Sequence, residues 1–203
     1  DTALGISTGN SHILFITNAA ERLRIDSSGN VVVGVVPNVN HNTNYTAIQI
    51  PTGSISGNNT GVETILSSNS YRHTDSSWRF LKAGYASQVL CSPGSSRGFN
   101  LRTSTAVGAT DGTISWNDRL TIDSSGNMLV GKAVLDFNAV GVAAQPSGVF
   151  AATRDGGTPV IVNRKTSHGE LVQLQKDGAS FGSIGSYNGA PYYGGAGGGA
   201  MFN

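Results

Sequence analysis

The sequence has little charge and almost no cysteine. Charged residues make up 12% of the 203 positions, and the formal net charge is +1. Without a run of lysine or arginine, such a chain has no strong field for a nucleic acid backbone or an anionic lipid surface, so neither is an expected partner. Cys91 stands alone, which excludes an intrachain disulfide and a zinc site of clustered cysteines. No apolar run approaches 18 residues, so no membrane insertion is expected.

Large apolar side chains are also scarce. Leu, Ile, Val and Phe together are about a quarter of the chain, whereas Gly, Ser, Thr and Asn are roughly two fifths. This composition lies above the range typical of disorder, but it leaves little material for a core within one chain. Identical chains that share a core solve this problem, as closed homo-oligomers do. The composition therefore favours a homo-oligomer.

One sequence element occurs twice. The segment Glu21–Asn30 recurs almost unchanged at 118–127, and both copies continue into a valine-rich stretch that ends at Gly34 or Gly131. Apolar residues alternate on both sides of Asp-Ser-Ser-Gly-Asn, in which Asp favours an Asx-turn and Gly supplies a positive φ. Each copy therefore predicts a β-hairpin. We call Glu21–Gly34 the first repeat and Asp118–Gly131 the second repeat.

The rest of the chain is typical of short strands separated by Gly, Asn and Ser. A preceding strand is predicted for each repeat, at Ile13–Thr17 and Thr113–Trp116, with joints at Asn18-Ala-Ala and Asn117-Asp. Ile16–Arg24 has some helical spacing, but Thr17, Asn18 and the β-branched run before them favour a strand. Further strands are predicted at Thr46–Ile50, Glu63–Ser67, Trp78–Lys82, Gln88–Cys91, Phe99–Thr103, Pro159–Asn163 and Leu171–Lys176. The fold class is all-β.

The repeat spacing predicts two units. The boundary is expected near Lys132–Phe137, with a β shaft or knob unit at 1–131 and a distal β-rich unit at 132–203. The second unit carries a Gly- and Tyr-rich tail from Gly182 onward. This tail is expected to be extended and packed against neighbours, because it has little to bury beyond its tyrosines.

The first repeat closely resembles a known element. Glu21–Val31 is similar to the E-R-[LM]-R-I-D-S-S-G-N-V-G-I-G element of phage tail fibres of the marine and cyanophage type, and Trp116–Gly131 resembles it too. Where that family often has Val-Gly-Ile-Gly, this chain has Val31-Val-Val-Gly34 and Met128-Leu-Val-Gly131, so the exact strand packing is not carried over from the resemblance. Further similar stretches, in the same order, are Phe99–Thr103, Ala152–Gly156, Asn163–Ser167, Gln175–Gly178 and Gly182–Gly185.

The resemblance implies a structural and adhesive protein. In similar fibres, the segment resembling 150–203 precedes an endosialidase-type intramolecular chaperone, and nothing in this chain resembles the chaperone itself. The expected assembly is an elongated, interwoven, parallel homotrimer of short strands and meanders, which can include triple-β-helix-like shaft segments. Its expected location is the virion tail fibre. Expected partners are other tail or fibre proteins and a bacterial cell-surface glycan or outer-membrane component.

Candidate catalytic groups are weak. The G-x-S-x-G pattern occurs at Gly94–Gly98 and Gly178–Gly182, but a nucleophile elbow needs a following helix and none is predicted. The four histidines, His12, His41, His73 and His168, lack metal-ligand spacing. We therefore expect no enzyme activity, cofactor or metal. A tailspike that cleaves polysaccharide remains an alternative if two carboxylates converge, among Glu63, Asp75, Asp155, Glu170 and Asp177. A purely structural shaft is the other alternative.

Aromatic residues are the candidates for receptor contact. Trp78 lies in an alternating Trp-Arg-Phe segment, which is more typical of core packing than of receptor contact. Tyr187, Tyr192 and Tyr193 lie in the Gly-rich tail, where rings can be presented without a thick core beneath them. A flat ring beside hydrogen-bonding groups is the usual element of glycan binding, so these four residues are the predicted receptor-binding positions.

Overall fold

A computed structural model describes residues 2–7, 12–34, 42, 44–59, 61–92, 97–195 and 198–201. These residues form strands and turns. No helix occurs in the described ranges, and hence none that could cross a membrane. The prediction of an all-β chain is confirmed.

Within the described ranges the chain has nineteen strands. Most are short, and Gly, Asn or Asp directly follows several of them, as at Asn18, Asp26, Gly34, Asn69 and Gly131. Their bounds are β1 Thr2–Ser7, β2 His12–Thr17, β3 Ala20–Ile25, β4 Val31–Val33, β5 Tyr45–Ile50, β6 Gly53–Asn58, β7 Thr64–Ser68, β8 Ser70–Arg72, β9 Trp78–Phe80, β10 Ser87–Cys91, β11 Arg97–Ser104, β12 Trp116–Asp123, β13 Met128–Val130, β14 Gly141–Ala144, β15 Phe150–Thr153, β16 Gly169–Lys176, β17 Ala179–Tyr187, β18 Ala190–Gly195 and β19 Gly198–Met201.

The chain divides into two units, 1–155 and 156–203. In the first, thirteen strands form one sheet in the order β1 to β7 and then β10 to β15, with β8 and β9 paired separately. Neighbouring strands are antiparallel except β4 and β5, which are parallel. The second unit is an antiparallel meander of β16 to β19. The boundary thus follows β15 rather than residue 131, because β14 pairs with β13 and carries the sheet past the expected position.

Both repeats fold as the predicted hairpins. The Asp26 carboxylate accepts backbone hydrogen bonds from Ser28 and Asn30, each at 2.9 Å. Asp123 accepts the equivalent pair at the same distances. The turn glycines have φ of 82° and 81°. Identical turn sequences therefore produce the same local geometry in two distant parts of the sheet.

The segments that precede the repeats differ from each other. In the first copy, Asn18 and Ala19 have positive φ and turn β2 into β3. The second copy has no such turn, so the predicted joint at Asn117-Asp is wrong: β12 runs straight through it and pairs with β11. The strand predicted at Thr113–Trp116 is reduced to an isolated bridge at Thr113, with Trp116 already in β12.

Besides Thr113–Trp116, one further predicted strand is absent, and the remaining ones are confirmed with small shifts at their ends. Pro159–Asn163 forms no strand. Its proline cannot donate to a ladder, and Ile161 is 80% exposed. The predicted tail forms the paired strands β17, β18 and β19, as far as the described residues extend. The separate helix alternative at Ile16–Arg24 is also decided in favour of strand.

A small layer covers one face of the large sheet. The β8–β9 hairpin and the loop 105–115 lie against it, and the loop is held by a hydrogen bond from the backbone N–H of Ile114 to the carbonyl of Trp78 at 2.8 Å. We call this side the covered face and the other the open face. The core between sheet and layer comprises Tyr45, Ile65, Trp78, Phe80, Ala86, Leu90 and Ile114.

Candidate functional site

Alternation along each strand separates the two faces of the large sheet. In β7, Ile65 and Ser67 are buried on the covered face, whereas Leu66 between them is 54% exposed. In a strand, successive side chains point to opposite faces. Leu66 therefore lies on the open face, as do the residues that pair with it across the neighbouring strands.

The register joins these open-face residues into a continuous line. Val89 of β10 lies opposite Leu66, and Leu101 of β11 lies opposite Val89. The same register runs from β2 to β15, and every position in it is apolar. We call this line the apolar row: Ile13, Ile25, Val31, Ile48, Ile55, Leu66, Val89, Leu101, Leu120, Val130, Val142 and Ala152.

The apolar row is accessible in the single chain. Ile48 and Ile55 are each 52% exposed. An open groove of about 510 Å³ lies along the row, with Leu66, Val89 and Leu101 among its lining residues. A contiguous exposed apolar surface of this extent is typical of an interaction site.

The small sheet shows a similar division. Val172, Ile184 and Tyr193 lie opposite one another in β16, β17 and β18. Ile184 and Tyr193 are 42% and 49% exposed. Tyr193 thus belongs to an apolar line of its own sheet.

The covered face is held by a buried polar network. The Gln88 amide donates to the hydroxyls of Ser67 and Ser70, at 3.1 and 2.9 Å. Its carbonyl oxygen accepts from Nε of Arg102 at 2.8 Å. Every polar group of the Gln88 side chain is thus paired, as burial requires.

Arg102 connects this network to the aromatic core. Its guanidinium carbon lies 4.6 Å from the ring centroid of Trp116 and 5.5 Å from that of Trp78. The guanidinium carbon of Arg72 also lies 5.4 Å from the Trp78 centroid. Burial lowers the pKa of Arg102 to about 10, which leaves it charged at neutral pH. These contacts place the Trp78 indole, predicted as a receptor contact, inside the core with 8% exposure.

Two of the candidate carboxylates have structural partners. Glu63 accepts a 2.7 Å hydrogen bond from the hydroxyl of Tyr45, whose pKa is raised to about 12 by burial and by this bond. Hydrogen bonds from Ser77 and Arg79 hold the pKa of Asp75 well below its usual range. Both carboxylates thus stabilise local structure. Among the described residues, no group of three or more His, Cys, Asp or Glu could hold a metal ion.

Of the two G-x-S-x-G patterns, the structure describes the serine of the second one. Ser180, in the second, lies near the start of β17 and directly after a hairpin turn, without a following helix. In the first pattern, residues 94–96 lie outside the described residues, as does His41. The described serine therefore lacks the strand–turn–helix setting of a nucleophile elbow.

Tyr192 lies on the face of the small sheet opposite Tyr193. It pairs with Gly185, and a Cβ built on that glycine would be 2.6 Å from the Tyr192 ring. The ring therefore covers the glycine backbone, and its hydroxyl lies 3.4 Å from Oγ of Ser183. Tyr187 lies at the β17–β18 turn and is 55% exposed.

The sequence patterns did not lead to two features of the structure: the opposite faces of Tyr192 and Tyr193, and the apolar row. Alternation within each strand was visible, and it could have placed Tyr192 and Tyr193 on opposite faces once β18 was recognised. The apolar row needed more, because its register is set by pairings between strands distant in sequence.

Comparison with known proteins identifies no relative of this chain. The chain matches no protein-family model, no curated protein and no solved structure.

Proposed function

We propose that this chain is a structural and adhesive segment of a virion tail fibre, which assembles as a homotrimer and attaches to the surface of a bacterial host. The observation that carries the proposal is the apolar row. It crosses twelve strands of the large sheet without a polar position, and much of it is exposed in the single chain. A fibre built from shared sheets needs this kind of surface.

The energetics support association through the row. Burying the exposed part of one such side chain is worth roughly 1 kcal/mol. The most exposed positions of the row are Ile13, Ile48, Ile55, Leu66 and Val130, so association through the row has a favourable hydrophobic contribution at five strands.

The occupants of the row are two further copies of the same chain. A partner must offer an uncharged line as long as the sheet, and the chain's own row has this length and chemistry. Interwoven copies would also protect the outer strands of the sheet, β1 and β15, whose free edges can otherwise pair with foreign strands. The resemblance of the two repeats to phage tail fibres supports three copies in parallel.

Attachment follows from repetition. Three identical chains in a fibre, and several fibres in a virion, convert weak single contacts into firm adhesion when the sites engage together. The receptor would be a bacterial cell-surface glycan or an outer-membrane component, and the other ends of the assembly would contact further tail proteins.

The first experiment is a solution mass by light scattering, followed by binding of the labelled protein to candidate host cells. We expect a mass of three times 20.9 kDa and saturable binding without release of sugar. A folded monomer would contradict the assembly. A trimer that ignores every tested host would favour a purely structural shaft, and released oligosaccharides would favour a tailspike enzyme.

A further inference from the structure

A second surface lies on the small sheet, around Tyr192. Gly185 has no side chain, so the Tyr192 ring lies against the backbone of β17, where a Cβ would come within 2.6 Å of it. One side of the ring is therefore fixed against the sheet. An aromatic ring held in this way loses little conformational freedom when a ligand binds its other side.

Polar groups surround the ring. An open cavity of about 470 Å³ lies beside it, with Glu170, Ser180, Phe181 and Ser183 among its lining residues. Ser183 is buried, and its Oγ lies 3.4 Å from the Tyr192 hydroxyl. The cavity thus combines two rings with acceptors and donors along one side.

We propose that this cavity binds an uncharged pyranose sugar. The C–H face of a pyranose is flat and apolar, so it can stack on an aromatic ring, while its hydroxyls donate to a carboxylate and exchange hydrogen bonds with serine hydroxyls. The negative charge of Glu170 disfavours sialic and uronic acids. The inference rests on the proposed adhesive function, since it names the class of receptor that the fibre would hold.

The neighbouring tyrosines differ from Tyr192. Tyr193 lies opposite Ile184 on the other face of the small sheet, so it belongs with the apolar line there. Tyr187 lies at the exposed turn, outside the cavity lining. Of the three predicted tyrosines, Tyr192 is the one placed beside polar groups that suit a sugar.

The test uses the full chain and saturation-transfer NMR with the methyl glycosides of glucose, galactose, mannose and N-acetylglucosamine. Glucuronic acid and N-acetylneuraminic acid serve as anionic comparisons. We expect transfer to at least one neutral glycoside, strongest at its ring C–H protons. Transfer to the anionic sugars alone, or to none of the six, would overturn the inference.

Variants assign the binding to the cavity. Tyr192→Leu should lower the affinity for the glycoside about tenfold, because it removes the stacking surface. Glu170→Gln should lessen the discrimination against the anionic sugars, and Tyr85→Ser, at an exposed tyrosine of the first unit, serves as the control with unchanged binding. Circular dichroism and solution mass of each variant verify its fold. Unchanged affinity in well-folded Tyr192→Leu would place the sugar elsewhere.

The outcomes also separate this inference from the proposed function. Sugar binding by a monomeric chain would support the cavity and contradict the trimer. A trimer that adheres to host cells equally well with Tyr192→Leu would keep the adhesive function and remove the cavity from it.

Discussion

The large sheet departs from the usual relation between polarity and burial, because its covered face buries polar groups beside the apolar core and its open face exposes an apolar row. The covered face buries Ser67, Gln88 and Thr121, whereas the open face exposes Ile55 and Leu66. An ordinary sheet buries its apolar side and leaves its polar side in water. Ser67 and Gln88 pair with each other, and the Thr121 hydroxyl accepts a hydrogen bond from the Asn100 amide, so these buried groups are not left without partners. The open face has no such internal solution, and we infer that other copies of the chain supply it.

The strongest way to break this comparison is to place a charge in the apolar row. Leu66→Asp should convert the expected trimer to monomer, because a carboxylate would be buried without a partner at each of the three chains. Light scattering at a fixed concentration measures the effect. Ala83→Asp adds the same charge at an exposed position in the loop after β9 and should leave the mass unchanged. Equal masses for the two variants would contradict association through the row.

A change on the covered face should affect stability rather than association. Gln88→Leu keeps the size of the side chain, but it leaves the hydroxyls of Ser67 and Ser70 and the Arg102 guanidinium without their partner. We expect a loss of about 3 kcal/mol in the free energy of unfolding. Urea unfolding of a matched control, Gln175→Leu at an exposed position, should change by less than about 0.5 kcal/mol. A neutral Gln88→Leu would mean that the network is not a main source of stability.

The smallest expected loss of stability is that from the turns of the two repeats, which tests how much the buried polar contacts of Asn30 contribute. Removing the Asx-turn by Asp26→Ala or Asp123→Ala should cost about 1 kcal/mol each. Asn30, which Asp26 holds, also accepts a 2.8 Å hydrogen bond from the backbone of Ala47, and so it ties β5 to the first repeat. We therefore expect Asp26→Ala to cost more. Thermal unfolding of both variants, side by side, measures the difference, and a larger loss for Asp123→Ala would contradict it.

Local chemistry made much of the fold predictable. Asp-Ser-Ser-Gly-Asn specifies its own turn through the Asp carboxylate and a glycine with positive φ, so both hairpins could be predicted without any knowledge of their partners. The strand that pairs with the second repeat could not be predicted in this way. Loop 105–115 lies between β11 and β12, and no residue near Asn117 indicates that these two strands pair. Residues 132–155 illustrate the same limit, since only pairing of β14 with β13 shows that they belong to the large sheet.

The candidate site also has one part that the sequence predicts and another that depends on the tertiary structure. Residue pattern is sufficient to predict an all-β chain with short strands and to select its few aromatic residues as candidates, since alternation and turn chemistry act between adjacent residues. Tertiary structure alone decided that Trp78 lies in the core, that Tyr192 and Tyr193 lie on opposite faces, and that twelve apolar side chains form one row. The physical reason is that burial and register depend on contacts between distant strands.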